Sequence, residues 1–165
     1  MKLSNIKYYS TANGDGFRTA VFVSGCSLHC PGCFNKIAWD YSYGFDLTEN
    51  VIDKIVKSCE PEYISGLSIL GGEPMDVKNQ SGVLKIIKAF RDKFGDKKNI
   101  WMWSGYHFGD NMPETEHTAE ILGNVDYLID GPYKQECADI KLKYRGSDNQ
   151  RVLKKKNKKF EEICA

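Results

Sequence analysis

Three cysteines fall within eight residues of the stretch SGCSLHCPGCFNK, Ser24 to Lys36, at the spacing CxxxCxxC. Cys26, Cys30 and Cys33 are three soft donors in one short loop, with no evident fourth beside them. Thiolates hold iron-sulfur clusters, and a cubane of four irons needs one ligand per iron, so three cysteines leave one iron open to a ligand that is not protein. Gly25 and Gly32 give the loop the turns it needs to wrap three corners of a small cube. Zinc is the alternative. Cys30 and Cys33 form a CxxC pair that Cys26 with His29, or with a distant cysteine, would complete. Structural zinc usually draws on two short-spaced pairs, and a second pair is missing here. His29 reads better as a loop residue that shapes the pocket or donates a hydrogen bond.

The other three cysteines are scattered at Cys59, Cys137 and Cys164. That asymmetry favours a metal site in a reducing compartment over a disulfide framework. Cys59 lies on the apolar face of an expected helix and reads as a core thiol, while Cys137 and Cys164 are either a redox pair or bystanders.

The elements that position such a loop are legible from periodicity. Four apolar runs read as strands: TAVFVSG (Thr19 to Gly25), ISGLSIL (Ile64 to Leu70), NIWMWS (Asn99 to Ser104) and VDYLID (Val125 to Asp130). Between them, LTENVIDKIVKSC has Thr48 as N-cap and Val51, Ile52, Ile55 and Val56 on one helical face. SGVLKIIKAFRDKF repeats the pattern with Val83, Leu84, Ile87 and Phe90, and a weaker helix runs through ETEHTAEILG. Alternating strand and helix predicts an α/β fold with parallel strands joined by right-handed crossovers. The unusual loops all follow strands: the cysteine loop, GGEP (Gly71 to Pro74), SGY (Ser104 to Tyr106) and DGPY (Asp130 to Tyr133). In a parallel sheet those ends share one edge, where α/β folds build their active sites.

The 165 residues suit a single domain, 1–165. IKYYS is expected as an edge strand and TANGDGFR as a glycine-rich loop. The basic C-terminal run, about 153–165, reads as a solvated helix face or frayed tail, with docking to an acidic partner surface as the alternative. Lys plus Arg (23) nearly balance Asp plus Glu (22), which gives no reason to expect nucleic acid or an acidic membrane as partner. MKLSNIKYYS lacks the apolar stretch of a signal peptide and no apolar run is long enough to cross a bilayer, so a cytoplasmic protein is expected. Ser104, Tyr106 and Asp130 are candidates to contact a bound ligand, with turn and capping roles as the alternative. Trp101 and Trp103 read as core, and Arg145 and Arg151 as carboxylate partners or surface ion pairs.

CxxxCxxC followed by GGEP resembles the radical S-adenosylmethionine (SAM) superfamily, in which three cysteines hold a [4Fe-4S] cluster and the open iron chelates the amino and carboxylate groups of SAM. The resemblance implies Cys26, Cys30 and Cys33 as the metal ligands. It implies Gly71, Gly72 and Glu73 as the segment that grips the methionine amino group, which has three donors and no acceptor. Within the superfamily the chain is most similar to activating enzymes of anaerobic ribonucleotide reductases, through DGFR, FVSGCSLHCPGCFNKIAWD, LSILGGEP, WSGY, VDYLIDGPY and LKYRGSDNQRV. Such enzymes resemble a partial, incomplete parallel β/α barrel. The implied activity is reductive cleavage of SAM to a 5′-deoxyadenosyl radical that takes a hydrogen from a glycine of the reductase large subunit. A one-electron donor, such as a flavodoxin-like protein, is implied with it. The chain departs from its relatives where they commonly carry DGPGxR, having Asp15, Gly16, Phe17 and Arg18. Gly32 also stands where the wider superfamily often has an aromatic residue, so adenine contact falls to the Gly32 to Phe34 backbone or to the Phe34 ring. Two rival functions remain: another radical SAM enzyme, acting on a small molecule or a different glycyl-radical enzyme, and a zinc-stabilised binding module without catalysis.

Overall fold

Parallel strands need a crossover of a dozen residues or more, and the chain supplies a helix for each. In a computed structural model that describes residues 1–163, β2 (Phe17–Val23), β4 (Ile64–Gly71), β5 (Asn99–Ser104) and β6 (Tyr127–Asp130) run parallel and adjacent. The helices α1 (Glu49–Ser58), α2 (Val77–Phe94) and α3 (Thr118–Asn124) connect them. The pairings Val23↔Gly71, Ile69↔Met102 and Ser104↔Asp130 bring the C-terminal ends of all four strands to one edge.

Capping sets where the helices begin. Thr48 accepts from the Val51 amide, as its sequence position predicts. Asp76 does the same for Lys78, and α2 therefore begins at Val77, ahead of the Ser81 that periodicity alone suggests.

The two-residue period of the strands divides the core. Val21, Val23, Leu67 and Ile69, with Ile100 and Met102, pack against Ile55, Ile86, Ile87 and Phe90 of the helices. The opposite face carries a smaller cluster of Trp101, Ile129 and Val152, against which Trp103, Tyr127 and Tyr144 pack.

Antiparallel strands flank the parallel four. The sheet is open, in the order β3-β1-β2-β4-β5-β6-β7-β8. The IKYYS segment lies in β1 (Lys2–Ser10); β3 (Phe45–Asp46) pairs outside β1 only at Lys2 and Leu3, so IKYYS itself runs along the edge of the sheet, as expected.

The C-terminal lysine run is neither helix nor frayed tail. It forms a hairpin of β7 (Arg151–Lys156) and β8 (Lys159–Glu162). Asn157 and Lys158 both take positive φ (50° and 65°), as a tight hairpin turn matched to strand twist requires. Val152 and Leu153 bury on opposite faces of the sheet, which fixes the register despite the lysines. Cys164 lies outside the described residues. No helix among them is long and apolar enough to cross a membrane.

Candidate iron-sulfur site

The four strand-end loops converge as expected. Cys26, Cys30 and Cys33 line one cavity together with Gly71, Gly72 and Glu73 from the loop after β4. Ser104 and Gly105 after β5 and Gly131 and Tyr133 after β6 complete the rim, and Phe22, Leu28, Leu70 and Trp103 make its walls apolar.

The cysteine loop leaves β2 and returns on two main-chain hydrogen bonds, Gly25 N to Ala38 O (2.8 Å) and Cys26 N to Trp39 O (3.2 Å). Gly25 has φ +98°, and a Cβ there would stand 2.0 Å from the Tyr41 ring, so no other residue fits. Gly72 is equally constrained, because a Cβ would meet the Gly25 carbonyl oxygen at 2.4 Å. That close approach lets Glu73 N donate to Gly25 O (2.8 Å) and joins the GGEP segment to the cysteine loop. His29 stacks on Trp39 with ring centroids 4.5 Å apart, which fits the loop-shaping role and not ligation.

Glu73 is buried, and its carboxylate is held from three sides. Oε1 accepts from Met75 N and Ser104 Oγ (both 2.8 Å), and Oε2 accepts from Gly105 N (2.7 Å). Burial nevertheless dominates and pushes its pKa up to about 7. Burial also raises the Cys26 and Cys30 thiols above the ordinary range; metal binding would reverse this by deprotonating them.

The remaining sequence candidates are placed less uniformly. Ser104 borders the cavity, with its hydroxyl donated to Glu73 and accepting from Tyr106 N (3.1 Å). Asp130 is fully buried away from the cavity: Arg151 Nε donates to its Oδ1 (2.9 Å) and Phe108 N to its Oδ2 (2.7 Å). Arg151 is thereby engaged, and Arg145 donates to the Asp148 and Gln150 carbonyls (3.0 and 2.7 Å). Gly32 packs against the Gln135 side chain, and Phe34 stands out at the rim. Trp101 is core as expected, but Trp103 reaches the cavity wall, anchored by Nε1 donating to Tyr144 O (2.6 Å).

One participant escaped the sequence reading. Asp76 Oδ2 accepts from Ser27 Oγ (2.7 Å) and Tyr41 OH (2.6 Å), and Ser27 Oγ lies 3.0 Å from Tyr106 OH. Burial opposes the Asp76 charge, but these hydrogen bonds and the Lys78 amide outweigh it and hold the pKa below the ordinary value. The α2 cap thus also ties the cysteine loop to the loop after β5. An Asp before an apolar helical run signals a cap, but nothing local signals partners so distant in sequence.

The donor chemistry fits a cluster: three soft sulfurs, two close glycine backbones and one buried anion around a single cavity. Among the described residues no three His, Cys, Asp or Glu side chains are placed to hold a single metal ion. A family described as "4Fe-4S single cluster domain" matches residues 12–153, a span that includes all three cavity cysteines and Glu73. The anaerobic ribonucleoside-triphosphate reductase-activating protein of Vibrio cholerae is 38% identical over 149 residues, covering 87% of this chain and 93% of that protein. The protein of that name from Pasteurella multocida is 34% identical over 156 residues (92% and 98%), and that of Enterobacteria phage T4 36% over 140 residues (85% of each). The chain belongs to this family of reductase-activating proteins. These relatives are matched over most of their own length.

Proposed function

We propose that the chain activates an anaerobic ribonucleoside-triphosphate reductase as a member of the radical SAM superfamily, with its open sheet serving as an incomplete parallel β/α barrel. Cys26, Cys30 and Cys33 would hold a [4Fe-4S] cluster, leaving its fourth iron to SAM. When bound and reduced by a one-electron donor such as a flavodoxin-like protein, the cluster and SAM supply the 5′-deoxyadenosyl radical that converts a glycine of the reductase into a glycyl radical.

The observation that carries this reading is Glu73. A buried carboxylate that lines one cavity with three thiols, its charge opposed by burial and with no cation paired to it among the described residues, suits an ammonium group. Ser104 Oγ and Gly105 N hold that carboxylate in place, and the Gly71 and Gly72 backbone can approach a ligand closely. The Gly32 to Phe34 backbone, or the Phe34 ring, would supply the adenine contact. The apolar wall of Leu28, Leu70 and Trp103 limits water at the reacting centre.

The test is anaerobic reconstitution followed by reduction in the presence of SAM. The reading expects about four irons per chain, and methionine and 5′-deoxyadenosine as products. A colourless protein carrying one zinc, or an iron-loaded protein inert toward SAM, would end it.

A further inference from the structure

Three large apolar side chains are exposed on the segment that leaves the cysteine loop: Phe34 at 93%, Ile37 at 57% and Tyr43 at 37%. They border a shallow groove of about 210 Å³, shared with Ser4, Asn5 and Lys7 of β1 and with Phe22 of β2. Phe22, Phe34 and Asn35 line both this groove and the thiol cavity, so the two adjoin. A single exposed apolar residue is ordinary, but several grouped at the mouth of a cavity mark a contact surface.

A second observation concerns the main chain. β3 pairs with β1 only at Lys2 and Leu3, so from Ser4 onward the outer edge of β1 has no strand partner among the described residues. Ser4, Asn5 and Lys7 of this stretch line the groove, and an unpaired strand edge is open to an added strand. The amides of Asn5 and Asn35 offer further donors and acceptors to a passing main chain.

We propose that this groove holds an extended, glycine-bearing segment of the reductase, with apolar side chains on Ile37 and Tyr43 and its glycine reaching the cavity past Phe34. The inference rests on the activation reading above and adds the surface that delivers the target. Glycine suits the inner end, because a residue without Cβ brings its α-carbon closest to a reacting group. Apolar side chains suit the outer part, because the groove has Lys7 as its one charged lining residue among those described.

The experiment uses the cluster-loaded protein and its reductase, with Ile37→Asp and Tyr43→Asp as the variants. Tyr63→Asp is the comparator: Tyr63 is 59% exposed in another aromatic group, with Tyr9 and Phe17, at the opposite end of the sheet. Both groove variants are expected to raise the Kd for the reductase about tenfold and to lower glycyl-radical yield in step. SAM cleavage without reductase should stay within about twofold of wild type, and Tyr63→Asp should bind normally. Unchanged reductase binding in both groove variants overturns the proposal, as does weakened binding confined to Tyr63→Asp. If an Asp variant does not load its cluster, Ile37→Ser and Tyr43→Ser are judged by the same criteria. A wild-type protein that cannot cleave SAM contradicts the activation reading itself, and the groove proposal falls with it.

Discussion

Glu73 and Arg18 are buried charges at opposite ends of the parallel strands, Glu73 beyond the C-terminal end of β4 and Arg18 near the N-terminal end of β2. Arg18 is consumed by the scaffold. Its Nε donates to Ser68 Oγ (2.7 Å), Nη2 to the Leu67 and Asn99 carbonyls (2.8 and 3.0 Å) and Nη1 to Asp15 O (3.1 Å), and the guanidinium lies 5.5 Å from the Trp101 ring centre. Burial lowers its pKa to about 10, but protein dipoles occupy its donors and it does not border the cavity. Glu73 also accepts three hydrogen bonds, yet it faces a cavity beside three thiols. Burial alone therefore does not mark a functional charge. What distinguishes Glu73 is that it lines the cavity with the three cysteines, where on the proposed reading its spare acceptor capacity would meet a cation.

The comparison breaks most visibly at the cysteines. Cys30→Ala should remove the reconstituted cluster and abolish SAM cleavage, read as iron content and 5′-deoxyadenosine. Cys59→Ala, whose buried thiol lies beside Thr19 at the Arg18 end, should keep both and lose only about 1–2 kcal/mol of stability. Glu73→Gln should retain iron but weaken SAM binding about 10–100-fold, measured by anaerobic calorimetry. Arg18→Met should do the reverse. Stranding the Leu67 and Asn99 carbonyls should cost about 2–4 kcal/mol in urea unfolding, with SAM affinity unchanged. A large affinity loss in Arg18→Met would erase the distinction between the two ends.

The smallest effect is on pH dependence. Burial raises the Glu73 pKa from 4.5 to about 7, so the folded cluster-free chain holds this proton more tightly than the unfolded chain does. The stability contributed is complete below pH 4.5 and is lost as pH rises through about 7. Glu73→Gln should flatten that interval in a plot of urea midpoint against pH.

Local patterns made the central architecture readable. Apolar runs rich in β-branched and aromatic residues marked all four parallel strands, Thr48 marked its helix start, and the glycine-containing turns marked the edge where the loops meet. The flanks were less readable because the five lysines from Lys154 to Lys159 mask the two apolar residues that bury. Side-chain commitments were hidden for a different reason. Asp130 pairs with Arg151 and Asp76 with Ser27 and Tyr41 across sequence gaps that no local pattern spans. Trp103 occupies a strand position that predicts core, yet it lies at the cavity wall.

Mössbauer spectroscopy of the intact, iron-labelled holoprotein, before and after SAM is added, tests the open coordination site most directly. One iron in four should change its signal on SAM addition while the three thiolate-bound irons do not. Four irons with unchanged signals, and a fourth protein ligand that SAM does not displace, would contradict it.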